Sequence, residues 1–334
     1  TTCLIYSHIS SFGSDLISTA DVTFGTVLPN PQILPSYSDN SLELEEVYKF
    51  LGWTQNERIK IVERASQGNL VDFSKMLSVQ DYNFYAVFKK QSVYDEVTDL
   101  NYFNFYAASY SETAGSSLIP STAIPAEAFD TSYNIDDGWR IEIKPKTLLS
   151  GKITLPSYYQ GKPVITMGKT FAGEQSSPSI NYGGKNITHI FWDRKEGEPK
   201  LRYIAESSFT AVNSSSAADR SHLQYVELPE GLRYIQSYAF SGVRGLSADF
   251  VLPNTLVAIG ASAFLKSWVE DGSINTIKIP GSVYGIASGA FIEFNASIDT
   301  FQFGDQNNPS HLTCLGNINF VAGNATNNAI FRKV

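Results

Sequence analysis

The chain's four imidazoles, His8, His189, His222 and His311, include no pair at the i, i+4 spacing that would bring two rings to one metal, and no HExxH motif occurs. Two adjacent carboxylates, Asp136 and Asp137, are candidates for acid–base work, but Gly138 follows them and Asp-Asp-Gly is turn chemistry. The sequence has no GxSxG elbow, no Walker loop and no GxGxxG after a strand. Nothing here argues for an enzyme, and no metal or cofactor is expected. What does recur is a chemistry of recognition. Short stretches alternate apolar with polar residues, and their outward positions form two columns: His189, Tyr225, Asp249, Thr276 and Thr300 beside Phe191, Glu227, Val251, Lys278 and Gln302. Aromatic, hydroxyl and carboxylate groups side by side suit a sugar ring or a protein surface; the alternative is a merely solvated sheet. Trp192 and Trp268 are further candidates for exposed aromatic anchors, with burial in a core or cap as the competing fate.

Composition narrows the partner. The 334 residues carry 25 Lys and Arg against 33 Asp and Glu, a net charge of −8, so a phosphate backbone would be repelled and nucleic acid is disfavoured. Hydrophobic residues make up 43% and aromatics 13%, with only 17% charged, a mixture that favours β-rich packing over charged helices. No apolar run of about 18 residues is present, so membrane insertion is not expected. The opening Thr1-Thr-Cys3 shows neither an initiator Met nor a signal-peptide pattern, which suggests an excised or incomplete start. Cys3 and Cys314 belong to no ligand pair; they are either two thiols packed as small hydrophobes or, if the termini meet, a disulfide.

The elements that position the two columns are internal repeats. In three successive copies a strand ends in Pro and a Phe follows eleven residues on: Pro229 to Phe240, Pro253 to Phe264 and Pro280 to Phe291. From Phe209, successive closing Phe residues are separated by 31, 24, 27 and, at Phe320, 29 residues, one supersecondary unit per repeat with insertions such as 213–216 and 268–272 between them. Alternating pairs such as Val226 and Leu228, or Ile277 and Ile279, read as strands with one buried face. Pro ends each because it cannot donate to a ladder. The following Ile-x-x-x-Ala-Phe places an aromatic inside a second short layer, and neighbouring units must stack to cover it.

Leu228-Pro-Glu-Gly-Leu232 to Ile235-Gln-Ser-Tyr-Ala-Phe240, and Leu252-Pro-Asn-Thr-Leu256 to Ile259-Gly-Ala-Ser-Ala-Phe264, resemble the BspA-type leucine-rich repeats of bacterial surface, phage and protozoan proteins. The resemblance covers about residues 150–330. It departs from the pattern where Tyr159-Gln-Gly-Lys-Pro163 lengthens the first unit, where Trp192-Asp193 replaces Leu-Pro in the second, and where Gly304 replaces Pro in the last. It implies adhesion to host cells, matrix proteins or glycans.

Upstream, Val22-Thr-Phe24, Tyr48-Lys-Phe-Leu-Gly-Trp53, Val71-Asp-Phe73 and Phe84-Tyr-Ala-Val-Phe88 suggest a small antiparallel sheet, with 57–67 a helix or a long loop. Phe50-Leu-Gly-Trp53 and Phe84-Tyr-Ala-Val-Phe88 resemble a Listeria and Bacteroides surface repeat, a β-grasp-like module that implies a spacer. Asn101-Tyr-Phe-Asn-Phe-Tyr106 and Trp139-Arg-Ile-Glu-Ile143 alternate like strands of a connecting β subdomain or a cap on the solenoid's open end.

The expected architecture is therefore mainly β: an N-terminal segment of unclear role (1–20), a β-grasp-like module (21–90), a connecting β subdomain or cap (91–150) and a leucine-rich-repeat solenoid of about six short repeats (151–334). The expected function is non-catalytic surface adhesion through the solenoid face, with a host or bacterial surface protein or glycan as partner, at an extracellular, bacterial cell-surface or phage virion location. The alternative is a structural part of a phage virion contacting other virion proteins; a glycan-processing enzyme is weaker.

Overall fold

The structure is a computed structural model that describes residues 2–10, 13–21, 25–28, 42–58, 61–77, 79–80, 82–112, 124–144, 149–168, 186–210, 222–247, 249–267, 276–291 and 300–316, with residues 2–10, 13–21 and 300 described by their backbone alone. The chain divides into two compact units, Thr1–Asp95 and Glu96–Val334.

The first unit is a four-stranded mixed sheet of β1 (Thr2–Ser10), β2 (Gly13–Asp21), β3 (Glu46–Thr54) and β4 (Tyr82–Ser92), in the order β2-β1-β4-β3. β1 runs parallel to β4, while β1–β2 and β3–β4 are antiparallel. Residues 1–20, set apart in the sequence reading, thus supply the sheet's first hairpin. Where β1 ends, the other edge of β4 is taken up by the loop at Ile61 and Val62, whose Val62 N–H donates to the Phe88 carbonyl at 2.9 Å. Phe84, Ala86 and Phe88 alternate onto the core with Trp53, Tyr48 and Phe73. The Phe-x-Gly-Trp motif has a physical cause. Phe50 and Trp53 are three apart and would face opposite sides of a regular strand, but β3 bulges between Phe50 and Gly52. Gly52 takes φ +148, and both rings then reach the same core, 5.3 Å apart. Of the 57–67 stretch, the described residues 57–58 and 61–67 are loop with one 3-10 turn, Ala65–Gln67, and Val71-Asp-Phe73 is no strand but leads into another, Phe73–Lys75. The 22–24 stretch lies outside the described residues.

The second unit opens with the antiparallel pair β5 (Phe103–Tyr110) and β6 (Ile135–Ile143). Next come β7 (Ser150–Leu155) and the hairpin of β8 (Tyr158–Tyr159) and β9 (Lys162–Met167), turned through Gln160 and Gly161 at positive φ. Thereafter the chain alternates between two parallel layers. β10 (Asn186–Trp192) and β12 (Tyr225–Val226) flank one another beside β7, with β11 (Tyr203–Ile204) between them in sequence but in the other layer. β13 (Tyr234–Ile235) and β14 (Ala258–Ile259) continue that other layer. β15 (Thr276–Ile279), β16 (Gly285–Ile286), β17 (Thr300–Phe303) and β18 (Cys314–Leu315) complete the coils, β15 pairing β17 and β16 pairing β14 and β18. The longer layer is one sheet in the order β18-β16-β14-β13-β11-β9-β6-β5, which the β5–β6 pair extends at its first edge.

The eleven-residue spacing is one coil's path. After Pro229, Pro253 and Pro280 the chain turns, with Leu232, Leu256 and Val283 N–H donating back to the Pro carbonyls at 3.1–3.2 Å. It then makes two residues of the longer sheet and turns again to the Phe. In that second turn Ser207, Tyr238, Ser262 and Gly289 occupy equivalent places at φ +59, +58, +54 and +72. The conformation aims backbone donors at the next coil: Tyr238 N–H meets Ala261 O at 3.0 Å, and Phe240 N–H meets Ala263 O at 2.7 Å. Phe209, Phe240, Phe264 and Phe291 stack in one column, 4.9–5.3 Å between ring centres. They sit in a continuous core with Ile204, Ile235, Ile259 and Ile286. Phe320, expected to close the last unit, lies outside the described residues.

One local expectation is corrected. Asp136-Asp-Gly138 is not a turn but part of β6, where Gly138 pairs with Ala108. The glycine is there for close approach, since a Cβ on it would lie 2.8 Å from Ile165 Cγ2 of β9. Asp137 is occupied by Lys162 at 2.8 Å.

Candidate functional site

The expected columns lie on the shorter layers. Register places His189 against Tyr225, Thr276 against Thr300 and Lys278 against Gln302. Glu227, Val251 and Lys278 each stand two residues before the coil's Pro, and Tyr225, Asp249 and Thr276 four before it. Phe250, Leu252, Ile277 and Ile279 are buried, which turns Asp249, Val251, Thr276 and Lys278 outward, all exposed. His189, Tyr225 and Gln302 are half-buried. Thr300 holds its register position by its backbone, and Trp268 lies outside the described residues.

Three positions are not the free contacts that were expected. Phe191 is fully buried, its ring stacked parallel to His189 at 6.3 Å and 5.4 Å from Tyr225, with buried Thr154 paired beside it. Trp192 is fully buried in the coil core, as its two-residue step from Ile190 requires, and its indole N–H donates to Glu227 O at 3.0 Å. Glu227 accepts from the Trp192 N–H at 2.9 Å and pairs with Arg194, so its carboxylate fastens one coil to the previous one. Burial pushes the His189 imidazole down to about 4, Lys152 adding to the effect and Asp249 opposing it, so this ring is neutral near pH 7.

The outer face of the longer sheet is covered from within. Tyr110, Ala128, Ile124, Tyr133 and Ile135 pack with Tyr203, Tyr234, Ala258 and Ala287 in a second apolar layer. At its centre Glu112, with no exposed surface, takes Arg233 Nε at 2.8 Å and Nη2 at 3.2 Å and accepts the Tyr110 hydroxyl at 2.7 Å. Arg233 also donates to Ala128 O and Thr255 O, at 2.7 and 2.8 Å. The Tyr133 ring receives two guanidiniums, Arg233 at 4.4 Å and Arg202 at 5.2 Å, and Arg202 Nε donates to Tyr133 O at 2.8 Å. Desolvation, reinforced by the Glu112 hydrogen bond, drives the Tyr110 hydroxyl's pKa up, so it stays a donor. The sequence reading singles out none of these residues for a role. The available signal is a tetrapeptide present twice, Leu201-Arg-Tyr-Ile204 and Leu232-Arg-Tyr-Ile235, where the next coil has Leu256-Val-Ala-Ile259.

The described residues hold no cluster of three or more His, Cys, Asp or Glu side chains able to hold a metal ion. No helix among them is long and apolar enough to cross a membrane. Cys314 is a half-buried free thiol.

With coils, Pro turns and Phe column in place, comparison with known proteins is decisive for one stretch: the model of the BspA type leucine rich repeat region matches it in six copies. The match covers residues 200–321. The BspA-type match begins after β10, so β7–β10 lie ahead of it. Among solved structures, the chain is similar to the T. pallidum leucine-rich repeat protein, with 22% identity over 62% of this chain and 71% of that one and a TM-score of 0.39. It is also similar to a leucine-rich repeat protein from Bacteroides ovatus, with 21% identity, 53% and 39% coverage and a TM-score of 0.35. No curated protein matches the chain. BspA-type repeats suggest a protein-binding surface module, and in this one Asp249, Val251, Thr276 and Lys278 stand exposed on consecutive coils.

Proposed function

We propose that the chain is a non-catalytic adhesion module that docks a protein on a host or bacterial surface through the exposed edge of its repeat coils, centred on Asp249, Val251, Thr276 and Lys278. The observation behind this reading is Val251. It is an aliphatic side chain left 65% exposed between two buried neighbours, with an acid two residues away and a base at the equivalent place of the next coil. An apolar centre bordered by both charges fits a protein surface. A sugar ring is the poorer fit on this face, because Phe191 and Trp192, which would have stacked on it, are buried.

The test uses the full chain on an array of extracellular-matrix and bacterial surface proteins. Val251→Asp with Lys278→Glu is expected to abolish binding of the best partner while leaving the melting temperature unchanged. Unaltered affinity in a folded double variant would remove this face from consideration.

A further inference from the structure

The first unit has an open, shallow hollow of about 710 Å³ where β3 ends and β4 begins. One wall is the chain leaving β3 and the turn at Asn69; the other is Gln80 and the first residues of β4. Five side-chain amides line it: Gln55, Asn56, Asn69, Gln80 and Asn83. All five are exposed; Asn56 Oδ1 accepts the Arg58 N–H at 3.0 Å, and the other four make no side-chain hydrogen bond among the described residues. Asn69 sits at φ +46, a left-handed backbone conformation that asparagine tolerates.

Two half-buried rings, Tyr82 and Tyr85, complete the lining. Tyr82 is set in advance: its hydroxyl donates to Leu77 O at 3.0 Å and its ring stacks on Phe84 at 5.9 Å. The charged residues are one of each sign, Glu57 and Arg58, which gives no net pull on an ionic ligand. Val71 is the single aliphatic side chain, too little for a hydrophobic peptide anchor. Each amide offers a donor and an acceptor side by side, the complement of neighbouring hydroxyls, and a tyrosine ring offers a face for C–H groups.

We propose that this hollow binds a neutral oligosaccharide. It gives the first unit a ligand of its own, independent of the protein docking read from the repeat coils. The test is the full chain on an array of neutral, sialylated and sulfated glycans, followed by titration calorimetry with the best neutral oligosaccharide. Gln80→Ala with Asn83→Ala removes two amides and is expected to weaken binding about tenfold or more with the melting temperature unchanged. Val251→Asp should bind that sugar as the parent does, which separates this site from the docking face. Should the double variant melt early, Gln55→Ala is the substitution to read, with loss of affinity again expected. Absence of any neutral ligand, binding confined to charged glycans, or full affinity in the folded amide variants would each overturn the proposal.

Discussion

Phe240 and Phe264 lie parallel to within 1°, their ring centres 5.2 Å apart, although they belong to different coils. Each is fully buried, and Phe264 meets Phe291 on its other side at 5.3 Å. Phe264→Ala therefore opens a gap between two coils at once. A loss of about 3–5 kcal/mol in urea or guanidinium denaturation is expected. A negligible loss would show that the column is not what binds the coils together.

The turn before each Phe makes an opposite test available. Tyr238 sits at φ +58 with 43% of its surface exposed, while the equivalent Gly289 sits at φ +72. A left-handed residue with a Cβ costs roughly 1–2 kcal/mol, part of which glycine gives back in backbone entropy. Tyr238→Gly should stabilise by about 0.5–1 kcal/mol in chemical denaturation. Gly289→Ala should destabilise, since it places a Cβ in the strained conformation.

Glu112 and Arg233 form a buried pair reached from 121 positions apart. Glu112→Gln leaves a buried guanidinium without its counter-charge, and about 3–5 kcal/mol should be lost. Replacing both partners, Glu112→Leu with Arg233→Met, should recover much of that loss, because the desolvation of both charges disappears together. Denaturation midpoints of the three variants distinguish the outcomes.

His189 should make stability pH-dependent. Its folded pKa of about 4 lies below the ordinary imidazole value of 6.5, so between these values the unfolded chain binds more protons than the folded one. Its contribution is complete above about pH 6.5 and is lost as pH falls towards 4. Thermal melts in that window should show a smaller acid-induced drop for His189→Gln than for the parent. Equal drops would place the acid sensitivity elsewhere.

Glu227→Ala should act on the fold before it acts on binding. Its carboxylate holds the Trp192 N–H and Arg194 across two coils, so the variant is expected to melt lower. An unchanged melting temperature would return Glu227 to the recognition face.

The coil path was legible because it is local: Pro ends a strand, alternation buries Ile277 and Ile279, and a Phe recurs at fixed distance. The left-handed turns were hidden because Ser207, Tyr238 and Ser262 are not residues that announce positive φ; Gly289 alone hints at it. The cover on the longer sheet was out of reach for a different reason. Glu112 and Tyr133 meet Arg233 and Arg202 only after folding, and a carboxylate in an unrepetitive segment looks the same whether it ends buried or wet. Phe191 misled because alternation tells which way a side chain leaves its strand, not what lies above it there.

The internal cover has a mechanical consequence. Arg202 and Arg233 belong to successive coils, and side-chain bonds fasten Arg202 to Tyr133 and Arg233 to Glu112 and Ala128 in addition to their own backbone ladders. The proposed adhesion role puts the chain under load, and there the clasped coils are expected to yield last, so an array of otherwise equal springs acquires a stiff inner end.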